Sequence, residues 1–194
     1  MIAARTVLAL QSIVSRENNP LDPVVITVGT IHGGVKNSII PDEVKLQLTV
    51  RTYKPEVRKR VLASIERVAK GEAIVGGAPK EPLVKITPAA NATYNDPALT
   101  KRLVSTLRSV LGAANVVEVE PTMVFEDFAE FNLAGIPSVD VWVGTVEPGK
   151  FSAAQQSGVT LPQLHSSTWA PDYAPTIKAA ITVETTELLE LPGY

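Results

Sequence analysis

The sequence contains no cysteine, which excludes disulfide bonds, thiolate metal sites and a cysteine nucleophile. Histidine is almost as scarce, because only His32 and His165 occur, and neither lies in a paired-histidine zinc motif. The formal net charge is only -2, so no nucleic-acid partner is expected. No apolar run is long enough to span a membrane, and the amino terminus lacks a signal-peptide pattern. We therefore expect a cytoplasmic protein without a nucleic-acid or membrane partner.

What the sequence does contain is ample material for a core, since 45% of its 194 residues are hydrophobic and 20% are charged. Two runs, 24–31 and 44–52, alternate apolar and polar side chains with a period of two. This pattern predicts an antiparallel pair of half-buried strands. The loop 32–43 between them contains Gly33 and Gly34, which permit backbone torsions closed to other residues. We expect the first part of the chain to fold around this hairpin.

Three polar side chains lie at or near the predicted hairpin: His32 and Asn37 in the loop, and Arg51 near the end of the second strand. Imidazole and amide groups donate hydrogen bonds to oxygen, and a guanidinium group binds a carboxylate through two N–H groups. Together they suit an anionic or carbonyl-bearing ligand. The alternative is that each is a solvated or capping residue beside a turn, which is the commoner role of such residues.

Helices flank the predicted hairpin in the sequence. Apolar residues recur at helical spacing in 2–15 and again in 55–71, where Pro55 takes an early helical position that needs no N–H. A third strand is predicted at 82–87, so residues 1–90 have the order α-β-β-α-β. This order is a split βαβ unit of ferredoxin-like type that lacks its first strand. The first helix also lacks an N-cap residue, and we expect that a preceding segment has been lost.

Residues 91–194 alternate helices and short strands, which is typical of one side of an open α/β sheet. Asp96 and Pro97 form a strong helix start, with aspartate as N-cap and proline at the first helical position. The remaining predicted elements are a strand at 116–119, a helix at 126–133, a strand at 138–143, a long loop at 144–165 and a helix at 175–189. The predicted fold class is thus α/β (α+β), with a ferredoxin-like domain followed by part of an open α/β domain.

Two further candidate sites lie in the second half. His165 follows the long predicted loop, but a metal site needs three or four ligands, and a lone loop histidine usually binds no metal. Glu126 and Asp127 form a carboxylate pair that opens a predicted helix. The simplest interpretation is favourable charge at the helix N-terminus. The alternative is that one carboxylate faces a cleft and orients another group.

Three stretches in this order resemble a known family: TIHGGVKNSIIPDEVKLQLTVRT at 30–52, FEDFAEF at 125–131 and LHSS at 164–167. The chain is similar to the carboxyl-terminal part of the metal-dependent aminoacylase/carboxypeptidase superfamily, above all to its hippurate-hydrolase-type N-acyl-amino-acid amidohydrolases. That family has a catalytic α/β domain with two metal ions, interrupted by a ferredoxin-like lid that also dimerises. The resemblance implies that 1–90 are the lid without its first strand and that 91–194 are the carboxyl-terminal portion of the catalytic domain.

The resemblance also implies roles for individual residues. His165 would be the last metal ligand, and His32 would reach from the lid into the partner subunit's site, where it donates to the scissile carbonyl. Asn37 and Arg51 would hold the carboxylate of the substrate. In the full-length parent, divalent zinc, manganese, cobalt or nickel ions would activate the water that attacks the amide.

The chain also departs from the family pattern. The other metal ligands and the general-base glutamate lie upstream in the family, and this sequence has no counterparts to them. The family usually has proline after the serine that flanks its last ligand, where this sequence reads HSSTW. Glu126 and Asp127 match the family's EDF motif near the site, without a fixed role. We therefore expect the isolated chain to bind metal weakly and to be inactive.

Two functions remain open at this point. In the first, the chain is part of a homodimeric metal-dependent amidohydrolase that cleaves small N-acyl amino acids or peptides. In the second, it is a non-catalytic remnant that serves dimerisation or small-molecule binding. An assay of N-acyl-amino-acid hydrolysis with added divalent metal separates the two, because a remnant stays inactive.

Overall fold

The computed structural model describes residues 1–87, 90–124 and 126–190. The chain divides into two compact units: Met1–Thr93 together with Pro121–Ala134, and Tyr94–Glu120 together with Gly135–Tyr194. Helices and a small antiparallel sheet are both present, which confirms the predicted mixed α and β fold class. The domains 1–90 and 91–194 stay a prediction. No helix in the described ranges has the length and apolar character needed to cross a membrane.

The first unit is built on an antiparallel hairpin and two helices. Helix α1 covers Ile2–Ser12 and continues as a π-helical turn at Ile13–Glu17. Strand β1 covers Val24–Gly33 and pairs with β2 at Val44–Thr52. Helix α2 covers Pro55–Val75 and begins with proline, whose missing N–H is not needed at that position. The predicted hairpin and both predicted helices are therefore present, and α2 extends beyond residue 71.

Both helices pack on one face of the hairpin and form one apolar core. Its buried members are Leu10, Ile13, Val24, Ile26, Val57, Val61, Ile65 and Val68. Residues 57, 61, 65 and 68 recur every three or four positions, so they form a single stripe along α2. Burial of these side chains away from water is the main stabilising contribution in this unit.

Polar contacts fasten the turn after α1 to α2. Arg67 Nη2 lies 2.6 Å from both carboxylate oxygens of Glu17, and Ser64 Oγ donates to the same carboxylate at 3.1 Å. The hydrogen bond from Arg67 lowers the pKa of Glu17. Exposed ion pairs of this kind stabilise a protein by only about 0.2–1 kcal/mol, so the apolar core dominates.

The regular structure of the second unit is helical in the described residues. Helix α3 covers Pro97–Leu111, and the Asp96 carboxylate accepts the Leu99 N–H at 2.8 Å, which confirms the predicted N-cap. The remaining helical segments are a 3₁₀ turn at Ala113–Asn115, α4 at Ala129–Leu133 in the first unit, α5 at Pro148–Ser157 and α6 at Tyr173–Glu190. Helices α3 and α6 are in contact, and Val183 is the buried residue of α6.

Three predicted strands do not form in the described part of the chain, because 82–87, 116–119 and 138–143 adopt no regular secondary structure. A strand needs a neighbour that satisfies its backbone N–H and C=O groups, and β1 and β2 pair only with each other in these residues. Apolar side chains in the three segments remain exposed, with Leu83 at 93% and Val117 at 70%. The prediction of strands at these three positions is therefore wrong.

The predicted long loop 144–165 contains helix α5 instead. The Glu147 carboxylate accepts the N–H groups of Gly149 and Lys150 at 2.8 and 2.7 Å, and these hydrogen bonds lower the pKa of Glu147. Gly158 ends the helix with φ of 70°, a torsion that favours glycine. Ala154 is its one buried residue, so the apolar pattern of α5 is too weak to reveal a helix.

Candidate functional site

The side chain of His32 is exposed near the end of β1, opposite Lys45 of β2. In an antiparallel sheet, residues directly opposite each other point to the same face. The outer face, which is turned away from α1 and α2, therefore comprises four pairs: Val25 with Arg51, Thr27 with Thr49, Thr30 with Gln47, and His32 with Lys45. The structure thus brings His32 and Arg51 onto one largely polar face.

A β-bulge at Gly29 brings His32 to the outer face. The strands are in register as far as Val28, and pairing resumes at Thr30 with one residue fewer on β2. Since side chains alternate along a strand, residue 32 of a regular β1 would lie on the same face as Val28, toward the helices. The extra residue reverses that alternation before His32.

The two glycines after His32 serve different purposes. Gly34 has φ of 82°, a torsion that residues with a Cβ rarely adopt. Gly33 has no such torsion, but a Cβ at this position would lie 2.7 Å from Val44 Cγ2. The prediction that both glycines supply unusual torsions is therefore correct for Gly34 and wrong for Gly33, where close packing against β2 excludes a side chain.

Asn37 is exposed in the loop that follows β1, whereas Arg51 lies toward the opposite end of the hairpin. Between Lys45, the partner of His32, and Arg51, strand β2 rises by about 20 Å at 3.4 Å per residue. The half-buried Arg51 guanidinium instead donates a hydrogen bond to the backbone carbonyl of Met123. Within one copy of the hairpin, the three predicted side chains do not converge on a single ligand.

The predicted carboxylate pair lies just ahead of α4. One oxygen of Glu126 accepts the backbone N–H groups of Asp127 and Phe128, at 2.8 and 3.3 Å. The Asp127 carbonyl accepts the Glu130 N–H at 3.1 Å, and both acidic residues are exposed. Glu126 therefore binds two N–H groups of the turn that precedes the helix, which favours the interpretation as a charge near a helix N-terminus.

His165, in the second unit, has an unusual backbone torsion. Its φ is 70°, and it is the one non-glycine residue with positive φ in the part of the chain that the structure describes. The Ser166 N–H donates to the Gln163 carbonyl at 3.0 Å, so His165 takes the third position of a four-residue turn. Glycine or asparagine usually occupies a left-handed position there. A non-glycine residue at positive φ is uncommon, and this torsion makes the His165 imidazole a candidate functional group.

The described residues contain no group of three or more histidine, aspartate or glutamate side chains that could hold a metal ion. A stable site for zinc or a similar ion needs three or four protein ligands, or water in place of one of them. His165 alone therefore does not fit the complete metal site that the family resemblance implies. A metal ion at His165 requires further ligands from outside the described residues.

A small cavity of about 150 Å³ lies within the second unit. It is lined by Glu147 and Lys150 at the start of α5, and by Trp169 and Asp172 from the stretch after His165. Sequence reasoning missed Lys150 as a neighbour of this stretch because it lay in the predicted loop. The signal that could have found it is the Glu-Pro pair at 147–148, which is typical of a helix start.

The chain matches several known proteins. A model of the peptidase dimerisation domain matches residues 1–76. N-acetyldiaminopimelate deacetylase of Bacillus pumilus (strain SAFR-032) is 38% identical over 146 residues, which cover 74% of this chain and 38% of the deacetylase. Thermostable carboxypeptidase 2 of Saccharolobus solfataricus is 33% identical over 138 residues, which cover 71% of this chain and 34% of that protein. The uncharacterized hydrolase y4tI of Sinorhizobium fredii is 31% identical over 187 residues, which cover 96% of this chain and 42% of that hydrolase.

A solved structure shares the fold. It is that of the Bacillus subtilis YXEP protein, described as a dinuclear metal binding peptidase from the M20 family. The two superpose with a TM-score of 0.67 at 22% identity, over 97% of this chain and 45% of that protein. The chain thus spans between 34% and 45% of the length of these four proteins. Sequence and fold together confirm the resemblance drawn from the three motifs.

Proposed function

Because the chain is a relative of the M20 peptidases in both sequence and fold, we propose that it works as the lid and carboxyl-terminal part of a metal-dependent amidohydrolase. The proposed reaction is hydrolysis of the amide bond of an N-acyl amino acid or a small peptide. The deacetylase and the carboxypeptidase among its relatives support this reaction class. The match of residues 1–76 to a dimerisation domain supports a homodimer.

The position of His32 is the observation that carries this proposal. Its imidazole is exposed on the outer face of the hairpin, within the segment that matches the dimerisation domain. An imidazole N–H presented to a second subunit donates to an amide carbonyl and to the oxyanion that develops from it. This hydrogen bond is stronger in the transition state, where the oxygen carries more negative charge, so it accelerates the reaction.

The other candidate residues have more limited roles in the proposal. His165 is one ligand of a divalent metal ion, such as zinc, manganese, cobalt or nickel, and the remaining ligands come from outside the described residues. Asn37 donates its amide N–H groups to the carboxylate of the substrate. Arg51 is a second candidate for that carboxylate, but its hydrogen bond to Met123 supports a different role.

The test is a His32→Ala variant of the protein at its full natural length, assayed for hydrolysis of N-acetyl amino acids with added zinc or manganese. Loss of one oxyanion donor typically lowers turnover on the order of a hundredfold to a thousandfold, so kcat should fall by that factor with little change in KM. Lys45→Ala is the matched control, because Lys45 lies opposite His32 on the same face. Near-normal turnover of His32→Ala, with a loss of stability only, would show the proposed role to be wrong.

Mixed dimers test whether His32 serves the partner subunit. A His32→Ala subunit keeps His165, and a His165→Ala subunit keeps His32. In a heterodimer of the two variants, one site has both histidines, so turnover should rise well above that of either variant alone. Heterodimers that form and remain inactive would rule out a role across the subunit interface.

A non-catalytic dimerisation module is the second candidate function. It is favoured by the contrast between residues 1–76, which match a dimerisation domain, and the metal ligands, of which the described residues contain no group of three. This function predicts dimers by light scattering, together with no hydrolysis whichever divalent metal is added. Metal-dependent hydrolysis by the protein would exclude it.

A further inference from the structure

Arg51 links two distant parts of the chain. Its guanidinium donates a hydrogen bond to the backbone carbonyl of Met123, which is 72 residues away in the sequence. Met123 belongs to the segment Pro121–Ala134, which groups with the first unit although the residues on both sides of it belong to the second. This segment is named the arm. The hydrogen bond therefore joins the arm to the outer face of the hairpin.

The arm carries the predicted carboxylate pair. Glu126 follows Met123 by three residues, and three residues span at most about 10 Å of chain. Fixing the Met123 carbonyl therefore confines both carboxylates to a small region beside it. Glu126 also accepts the N–H groups ahead of α4, and Ala129 at the start of that helix is only 1% exposed. The arm is thus held at two places, by the Arg51 hydrogen bond before the pair and by the buried side chain of Ala129 after it.

We propose that Arg51 is a positioning residue, whose guanidinium holds the arm on the outer face of the hairpin and thereby fixes the place of Glu126 and Asp127. A charged donor forms a stronger hydrogen bond with a carbonyl than a neutral one does. The Arg51 side chain is half-buried, so water competes less for this bond. The effect on turnover rests on the proposed hydrolytic function and on one of the two carboxylates facing its site, whereas the anchoring of the arm rests on neither.

Hydrogen exchange of the arm tests the anchoring without any assay of activity. Arg51→Met keeps the apolar stem of the side chain but removes the donor. Backbone amides of the arm should then exchange about tenfold faster, while those of α2 keep their rates. Lys45→Met is the matched control, because it removes a positive charge from the same strand and the same face. Arg51→Lys keeps a charged donor and should restore part of the protection.

Two outcomes of the exchange experiment would overturn the proposal. The first is an arm that exchanges at the same rate in Arg51→Met and in the unmodified protein. The second is equal acceleration in the arm and in α2, since that result means a general loss of stability.

Kinetics separate positioning from contact with the substrate. The two substrates are an N-acetyl amino acid and its carboxamide, which differ only in the carboxylate. A positioning residue should lower kcat for both by the same factor in Arg51→Met, whereas a carboxylate contact raises KM for the first substrate only. The second result overturns the proposal. If the protein hydrolyses neither substrate, the proposed function fails and the exchange experiment alone decides the role of Arg51.

Discussion

The two compact units bury their apolar side chains in different ways. In the first unit, a single cluster of eight buried residues joins α1, the hairpin and α2. In the second unit, the buried apolar residues are few and are spread over three helices: Leu103 and Leu107 on α3, Ala154 on α5 and Val183 on α6. Helix α1 contacts α2, which follows the hairpin in the sequence, and both helices cover the hairpin. The first unit therefore assembles its core from neighbouring elements.

Several apolar side chains of the second unit are exposed because no surface of the described residues covers them. Val117, Val119 and Trp142 are 70%, 63% and 55% exposed, although their segments alternate like strands. An apolar surface is removed from water only when a second surface covers it. We therefore expect the first unit to resist unfolding more strongly than the second, and four sets of variants test this contrast.

Leu10→Ala should have the largest effect, because Leu10 is 1% exposed within the core of the first unit. Its truncation should lower the free energy of unfolding by about 3 kcal/mol. Leu8→Ala is the control on the same helix, since Leu8 is 73% exposed. Leu107→Ala in the second unit should lower the free energy of unfolding by about 2 kcal/mol, near the lower end of the range for such truncations. Urea unfolding measures all three, and equal losses at Leu10 and Leu107 would remove the contrast between the units.

Gly34→Ala should destabilise the loop of the first unit. A residue with a Cβ loses about 1–2 kcal/mol in a left-handed torsion, and Gly34 has φ of 82°. Gly29→Ala is the control, because a Cβ at the bulge would lie 4.0 Å from its nearest neighbour, the Gln47 carbonyl oxygen. Thermal unfolding should give a lower Tm for Gly34→Ala and an unchanged or slightly higher Tm for Gly29→Ala. Equal Tm values would contradict the constraint at Gly34.

The corresponding test in the second unit uses His165. Here His165→Gly should be more stable than His165→Ala by about 1 kcal/mol, because glycine adopts positive φ without strain. Both variants lose the imidazole, so under the proposed function both lose metal-dependent turnover. Stability and activity are thus separated at one position. An alanine variant as stable as the glycine variant in urea would contradict the left-handed turn.

Two glutamates should give the units opposite responses to pH. The Arg67 hydrogen bond lowers the pKa of Glu17 in the folded protein. Glu17 therefore stabilises the fold at pH values above its ordinary pKa, and this contribution is lost as pH falls through its folded-state pKa. Burial, with a smaller effect of Glu184, raises the pKa of Glu187. The contribution of Glu187 to stability is therefore present at pH values below its ordinary pKa and is lost as pH rises through its folded-state pKa.

The corresponding glutamine variants should have the smallest effects of the series. At pH 7, Glu17→Gln should destabilise the chain and Glu187→Gln should stabilise it, each by less than about 1 kcal/mol. Both differences should vanish at a pH low enough to protonate both carboxylates. Urea unfolding at the two pH values measures them, and a change of the same sign for both variants at pH 7 would contradict the opposite pKa directions.

Sequence reasoning predicted the first unit well, because its apolar spacing is regular and the two strands of its hairpin are adjacent in the sequence. The stripe of α2 and the alternation of β2 each identify one face without further information. Asp96 and Pro97 likewise reveal the start of α3, since capping depends only on local hydrogen bonds. Helix α5 was not predicted, because its single buried residue gives no apolar periodicity in the sequence.

The candidate site was harder to predict than the fold. Sequence reasoning named His32, Arg51 and His165, whose functional roles stay predictions. It gave no sign of the contact between Arg51 and Met123, because two residues 72 positions apart leave no local pattern. It also missed the turn at His165, where the position that usually takes glycine holds a histidine.

The face to which His32 points depends on whether the number of paired steps between the Val28–Leu48 pair and the His32–Lys45 pair is odd or even. Three steps of pairing on β2 lead from the pair of Val28 and Leu48 to the pair of His32 and Lys45. Deleting Gly29 would leave three regular steps, so His32 would stay on the outer face. Adding one residue to β2 opposite Gly29 would give four regular steps and would turn His32 toward the helices. Insertions and deletions that keep the count odd therefore preserve the direction of the imidazole, whatever residues they change.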